Sequence, residues 1–224
     1  FKGRRAKLEQ LVEQRCQWCP ARLSLNGRDL ARGIRMPAAW GVVPFHGLDF
    51  EGAIGFRPDD TAEAQVHWLI DGIHISSQQL PGLPRGIVVL LDGSACLKLD
   101  VSQAEIVRDQ AHARVLASIP DAVLPAYEAL AAQRTEGGDP PRAWLAELVR
   151  SQLLWFGDLA AFRPGGPAEY LAKLPAFQTL GLEDLTVESL LARFDSGGEV
   201  AHAAHALAAL GLPPRTRLKG GRAA

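Results

Sequence analysis

Lys98, Ser102, Gln103 and Arg108 lie within one short segment, Leu97-Lys98-Leu99-Asp100-Val101-Ser102-Gln103-Ala104-Glu105-Ile106-Val107-Arg108-Asp109. Together they offer an ammonium, a hydroxyl, a carboxamide and a guanidinium to an anion. Leu97, Leu99 and Val101 alternate with Lys98 and Asp100, the period of a half-buried strand, and helical spacing follows. Ser102 with Glu105 matches a capping box, in which each side chain satisfies a backbone donor at a helix start. The pattern predicts a strand that breaks into a helix at Ser102; the plain reading is a helix cap alone, and the functional one is an anion received by the first amides and positive dipole end. Ser102 then sits at the binding position, with Lys98 or Gln103 adding a side-chain donor. Arg108, the next cation along that helix, lies about 140° around the axis from Gln103. Glu105, Asp109 and His112 share its polar side as a charge ladder.

Other chemistry-bearing residues are sparser. Cys16 and Cys19 form a Cys-Gln-Trp-Cys-Pro pair and Cys96 stands alone, so no four-ligand zinc set is complete and no metal site is expected. A redox Cys-x-x-Cys belongs at the head of a helix after a buried strand. This pair instead follows a helix-like stretch over residues 5 to 17 with an apolar stripe of Leu8, Leu11 and Val12, ended by Pro20. Packed thiols are the expected reading, with a thiol switch as the alternative. His67 and His74 fall as diagonal neighbours on a hairpin, without a carboxylate or third histidine at fitting spacing. His202 and His205 share a face of an Ala-rich helix, also without a carboxylate. Gly165-Gly166 lacks the Lys-Ser or Lys-Thr of a phosphate loop and reads as a linker.

The elements that position these residues follow from periodicity and breakers. Residues 21 to 30 read as two strands around Asn26-Gly27, and strands follow at 40–45 and 52–56. Val66 to Ile70 and Ile73 to Ser76 flank Asp71-Gly72, another two-residue hairpin turn. A regular register puts Trp68, Ile70, Ile73 and Ile75 on the core face and His67, Leu69, His74 and Ser76 on the other. Helices are expected over 102–118, 121–134, 141–156, 186–194 and 199–210, separated by Pro120, Gly137-Gly138-Asp139-Pro140-Pro141, Arg163-Pro164-Gly165-Gly166-Pro167 and Ser196-Gly197-Gly198. Strands before helices argue for the α+β class: an N-terminal helix over 1–19, an α+β domain over 20–120 and a helical extension over 121–224.

Composition narrows the classes further. The chain has 224 residues, 47% of them hydrophobic, enough for one large or two small domains. The opening Phe1-Lys2-Gly3-Arg4-Arg5 is neither an initiator nor a secretory signal, so the chain reads as a piece of a longer protein. No uninterrupted apolar stretch reaches the ~18 residues of a membrane span, so no membrane partner is expected. Nine Lys or Arg face three acids over residues 1–36, eleven face twenty-two over 37–211, and four face none over 212–224. Basic ends around an acidic body favour contacts between segments; without aromatic interleaving, nucleic acid is not the expected partner. Three cysteines without an evident pairing fit a reducing, cytoplasmic setting.

The run Leu83-Pro84-Arg85-Gly86-Ile87-Val88-Val89, then Asp92-Gly93 and Leu97 to Ser102, resembles the middle domain of the ninety-kilodalton class of heat-shock chaperones (HtpG-like). There an Arg-Gly-Val-Val-Asp strand is followed by Leu-x-Leu-x-Ser-Arg and a helix. The looser layout of residues 20 to 120, opened by a helix and an Asn-Gly hairpin, is similar to the transducer domain of the GHKL ATPases. The resemblance implies a mixed-sheet βαβ domain with a left-handed crossover. It also implies an N-terminal ATP-binding domain in the same parent chain, ATP and Mg bound there rather than here, client or partner proteins, and a homodimer. In that family the arginine after the serine reaches the γ-phosphate; this chain carries Gln103 there, a donor without charge. On this reading the fragment alone is not an ATPase and relays the nucleotide state of its parent. The alternative is a stand-alone interaction or scaffold module without nucleotide dependence.

Overall fold

The computed structural model describes residues 2–30, 36, 39–57, 63–133, 140–178 and 184–196. The expected helix over 199–210 with His202 and His205, the Gly137-Gly138 and Gly197-Gly198 breaks and the basic tail from 212 lie outside them. The chain is α+β: after one N-terminal helix, the main sheet comes before the remaining helices. Helix α1 (Lys2–Cys16) precedes a small hairpin of β1 (Ser24–Leu25) and β2 (Arg28–Asp29). Five strands follow: β3 (Trp40–His46), β4 (Glu51–Phe56), β5 (Gln65–Ile70), β6 (Ile73–Gln79) and β7 (Ile87–Asp92). The helices α2 (Gln110–Ser118), α3 (Val123–Gln133), α4 (Arg142–Phe156), α5 (Glu169–Ala172) and α6 (Val187–Asp195) come after the sheet, with a two-stranded ribbon of β8 (Phe177–Gln178) and β9 (Asp184–Leu185) between the last two.

The five strands lie in the order β3-β4-β7-β5-β6. Neighbours are antiparallel except β5 and β7, which run parallel. The sequence of β7, Ile-Val-Val-Leu-Leu-Asp, suits its central place, because a strand covered on both faces reads as a continuous apolar run. The turns at Asn26-Gly27 (φ 52° and 79°) and Asp71-Gly72 (φ 53° and 70°) are left-handed at both residues. That twist matches the flanking strands and explains why these dipeptides close hairpins. The parallel pair is joined through β6, and no described residue between β3 and β7 is helical. The left-handed βαβ crossover implied by the resemblance is therefore not found among the described residues.

One face of the sheet carries Ile54, Phe56, Val66, Trp68, Ile87, Val89 and Leu91 into a single buried cluster with Val115 and Ile119 of the α2 region, Ala126, Tyr127 and Leu130 of α3, and Leu145, Leu148 and Val149 of α4. Tyr127 stacks on Phe56 with centroids 5.4 Å apart. Its hydroxyl donates to Gln152 Oε1 at 2.7 Å, and Gln152 Nε2 donates to Arg85 O at 2.9 Å, so the buried polar atoms tie α3 and α4 to the start of β7. Gly41 (φ 58°) lets β3 approach α3: an added Cβ there would lie 2.7 Å from Ala126 O and 2.8 Å from Leu130 Cβ. The helical run Gln110–Gln133 is long and apolar enough, by length and composition alone, to cross a membrane. Here its apolar residues pack on the sheet, as a core helix does.

Four expectations are corrected. The helix expected to start at Ser102 starts at Gln110, with Asp109 as its cap, accepting from His112 N at 3.1 Å. His112, expected on an exposed charge ladder, is instead buried against Trp68 with ring centroids 4.9 Å apart. On β6 the pairing slips by one residue, from Leu69↔His74 to Trp68↔Ser76, so Ile75 is an extra residue in a β-bulge. Ile75 and Ser76 both fall on the side of Trp68, and Ser77 replaces Ser76 on the outer face opposite His67. The stripe expected on α1 does not form a core face either: Leu8, Leu11 and Val12 are exposed.

Candidate functional site

Between β7 and α2 the chain folds back on itself as a small projecting hairpin. Leu99 bridges Ile106 in antiparallel fashion, Val107 N donates to Lys98 O at 2.8 Å, and Asp100 N donates to Glu105 O at 3.0 Å. Buried Leu97 and Ile106, with half-buried Leu99, root this hairpin in the main core. Residues 101 to 105 are exposed at its tip.

Asp100 decides the local fold. Its carboxylate accepts from Ser102 Oγ at 2.6 Å, Ala104 N at 3.0 Å and Glu105 N at 3.2 Å, while its carbonyl accepts from Gln103 N at 3.0 Å. The Ser102 hydroxyl, followed by the backbone amides, holds this carboxyl below the usual aspartate range. Such local side-chain bonds compete directly with helix formation, which is why Ser102 and Glu105 do not cap a helix. Gln103 takes a left-handed conformation (φ 54°) at the turn. The amides of residues 104 and 105 that a helix start would have offered to an anion are taken by Asp100. At the actual helix start His112 N is taken by Asp109.

The structure nonetheless brings the four sequence-predicted residues onto one small element. Ser102 and Gln103 are at the exposed tip; Lys98 and Arg108 are exposed on the two legs at its base. Arg108 is on no helix, so its angular relation to Gln103 does not apply. The Asp109 carboxyl beside them is lowered first by the amide of His112 and further by the charge of Lys98. Replacing Asp100 by Ala is expected to unfasten the tip alone. The Ala104 and Glu105 amides should lose hydrogen-exchange protection while global stability changes by less than about 1 kcal/mol, as for an exposed polar site.

A second arrangement lies on the outer face of the sheet and was only half visible in the sequence. His67 Nδ1 is 2.8 Å and His74 Nε2 is 2.9 Å from the same Ser77 Oγ, and the two imidazole centroids are 5.5 Å apart. Trp18 covers both rings at 5.7 and 5.6 Å. Burial, then the charge of His74 and then Arg57, holds His67 down at about 4. Burial and then Arg15 lower His74 as well. The Ile75 bulge is what puts Ser77 beside both histidines, and strand alternation carries no signal for it.

Cys19 is buried and Cys16 half-buried beside this cluster, and burial raises the Cys16 thiol, away from the reactive thiolate form. Among the described residues no three His, Cys, Asp or Glu side chains converge on a metal position. No family model matches the sequence, and no curated protein matches it.

Proposed function

We propose that this chain is a transducer-type middle domain of a heat-shock-chaperone-like GHKL protein. It would couple the nucleotide state of an ATP-binding domain in the same parent chain to partner or client binding. The observation that carries the reading is the hairpin after β7. It is rooted in the core by Leu97, Leu99 and Ile106, it exposes Lys98, Gln103 and Arg108 beside Ser102, whose hydroxyl is given to Asp100, and it stands where the resembling family has Leu-x-Leu-x-Ser-Arg. An element anchored in the core that exposes donors at its tip and base suits contact with a nucleotide held by a neighbouring domain, because a fixed backbone leaves less to order on engagement.

In this reading ATP and Mg belong to the neighbouring domain. The chain has no phosphate-cradling glycine loop. Titration of the isolated chain with Mg-ATP is expected to give no binding heat, and micromolar affinity would overturn that expectation. The direct test is steady-state ATP hydrolysis by the full-length parent with Lys98→Ala in the hairpin leg. A lowered rate with unchanged nucleotide affinity supports the coupling role. A parent that lacks an ATP-binding domain ahead of Phe1, or a rate indistinguishable from wild type in every hairpin variant, favours the interaction module without nucleotide. The exposed Leu154, Trp155 and Leu159 on and after α4 would then be the first surface to probe.

A further inference from the structure

The N-terminal unit meets the sheet through few groups. α1 packs against β6, and Glu13 of α1 pairs with Arg28 of β2, so α1 and its hairpin hold together as one piece. This piece is fastened where Trp18 lies over His67 and His74. Beneath it the Asp71-Gly72 turn presses on the chain: a Cβ at Gly72 would lie 2.4 Å from Trp18 O and 2.6 Å from Cys19 Cα. The turn is itself anchored, since Asp92 Oδ2 accepts from Gly72 N at 2.5 Å and Ser94 Oγ accepts from Asp71 N at 2.6 Å. The seat on β5–β6 is thus rigid, and the groups that can change are the two imidazoles.

We propose that Trp18 on the His67–Ser77–His74 cluster is a proton-sensitive clasp, which holds α1 and its hairpin against the sheet at neutral pH and releases them on acidification. The Ser77 hydroxyl has one proton. It donates to one neutral imidazole and accepts from the other, which satisfies the pair without charge. The charged groups that bear on the pair are cations from two other elements: Arg57, just beyond β4, on His67, and Arg15, in the last turn of α1, on His74. Two imidazoliums 5.5 Å apart under Trp18 would join those guanidiniums. Lifting α1 away removes Arg15 and readmits water, so release relieves both the repulsion and the desolvation.

The direction follows from linkage. Both histidines are harder to protonate when covered, so the clasp is fully engaged above the ordinary histidine range and weakens as pH falls below it. His67 contributes down to about 4. Each of these groups lowers the ratio of fastened to released forms by up to about tenfold per pH unit within its window. Between pH 6.5 and 4.5 the loss from His67 alone is about fortyfold.

The experiment follows the histidine ring protons and the amide exchange of the whole chain from pH 7.5 to 4.5, corrected for intrinsic exchange. His67 and His74 are expected to titrate below the ordinary value, and α1 amides to lose at least tenfold protection while β7 amides keep theirs. His67→Asn with His74→Asn should make α1 protection independent of pH. Should that variant not fold, Arg15→Gln on the exposed helix end provides a second arm: with one cation removed, release should move to lower pH. α1 protection that does not change with pH, loss of α1 and β7 protection together, or an Arg15→Gln midpoint equal to wild type overturns the clasp.

Discussion

Gln103→Arg in the full-length parent is expected, if the chain serves an ATP-binding domain as proposed, to raise the rate of ATP hydrolysis by about a hundredfold to a thousandfold. Arginines that meet the transferring phosphoryl group contribute on the order of 10³ or more in well-studied phosphoryl transfer. Gln103 already occupies the left-handed turn position at the hairpin tip, so another long unbranched residue there adds no new backbone strain. Asp100 holds that turn through the Gln103 amide and the Ser102 hydroxyl, neither of which involves the residue 103 side chain. The variant therefore changes what the tip presents and leaves its shape alone. Glutamine can donate to a phosphate oxygen, but only a guanidinium brings charge to where charge develops. Rates measured at saturating Mg-ATP decide the matter. Equal rates for wild type and Gln103→Arg would remove the tip from the chemistry and leave the hairpin a structural element.

Trp68→Ala is expected to cost the largest stability of any single change in the sheet, about 3–5 kcal/mol, which lowers the melting temperature by roughly 10 °C in a domain of this size. Trp68 is 1% exposed, on β5 next to the central strand, and its ring covers His112. Its removal opens a cavity where the sheet meets the start of α2, and the helix there is fixed by only one side-chain cap, Asp109. A second consequence follows from the same contact. His112 is held below the ordinary histidine range first by burial and then by Arg108, against the pull of Asp109. Water admitted by the cavity should let it titrate closer to the ordinary value. Thermal unfolding and the His112 ring titration measure the two effects separately. A loss under about 1 kcal/mol would mean that the core repacks around the vacancy.

Local rules carried much of this fold. Asn26-Gly27 and Asp71-Gly72 marked their hairpins because few dipeptides tolerate two left-handed residues in succession. Pro120 and Pro141 bounded α3 and α4 to within two residues. The hairpin of residues 98 to 107 escapes these rules because two local patterns compete over the same amides. Ser102 and Glu105 fit a capping box, yet Asp100 sits close enough to bind the amides of residues 104 and 105 itself. A signal existed. Asp109 three residues before His112 is also a cap, and Ile106 and Val107 are β-branched residues that pair more readily with Leu99 than they extend a helix. The outer-face cluster had no comparable signal. Trp18 is far from His67 in sequence, and the position of Ser77 depends on a bulge that alternation does not encode.

That bulge bears on how the chain can change length. Leu69 pairs with His74 before it and Trp68 with Ser76 after it, so the partners on either side are already set as though Ile75 were not there. Loss of that single residue would leave every pairing of β5 with β6 in place, keep Ser77 opposite His67, and remove only the partial packing of one isoleucine. Where the pairing is regular, a one-residue deletion inside a strand exchanges its inward and outward sides from that point on. At residue 75 the hairpin instead holds slack: a point where one residue can be lost without turning the rest of the strand over.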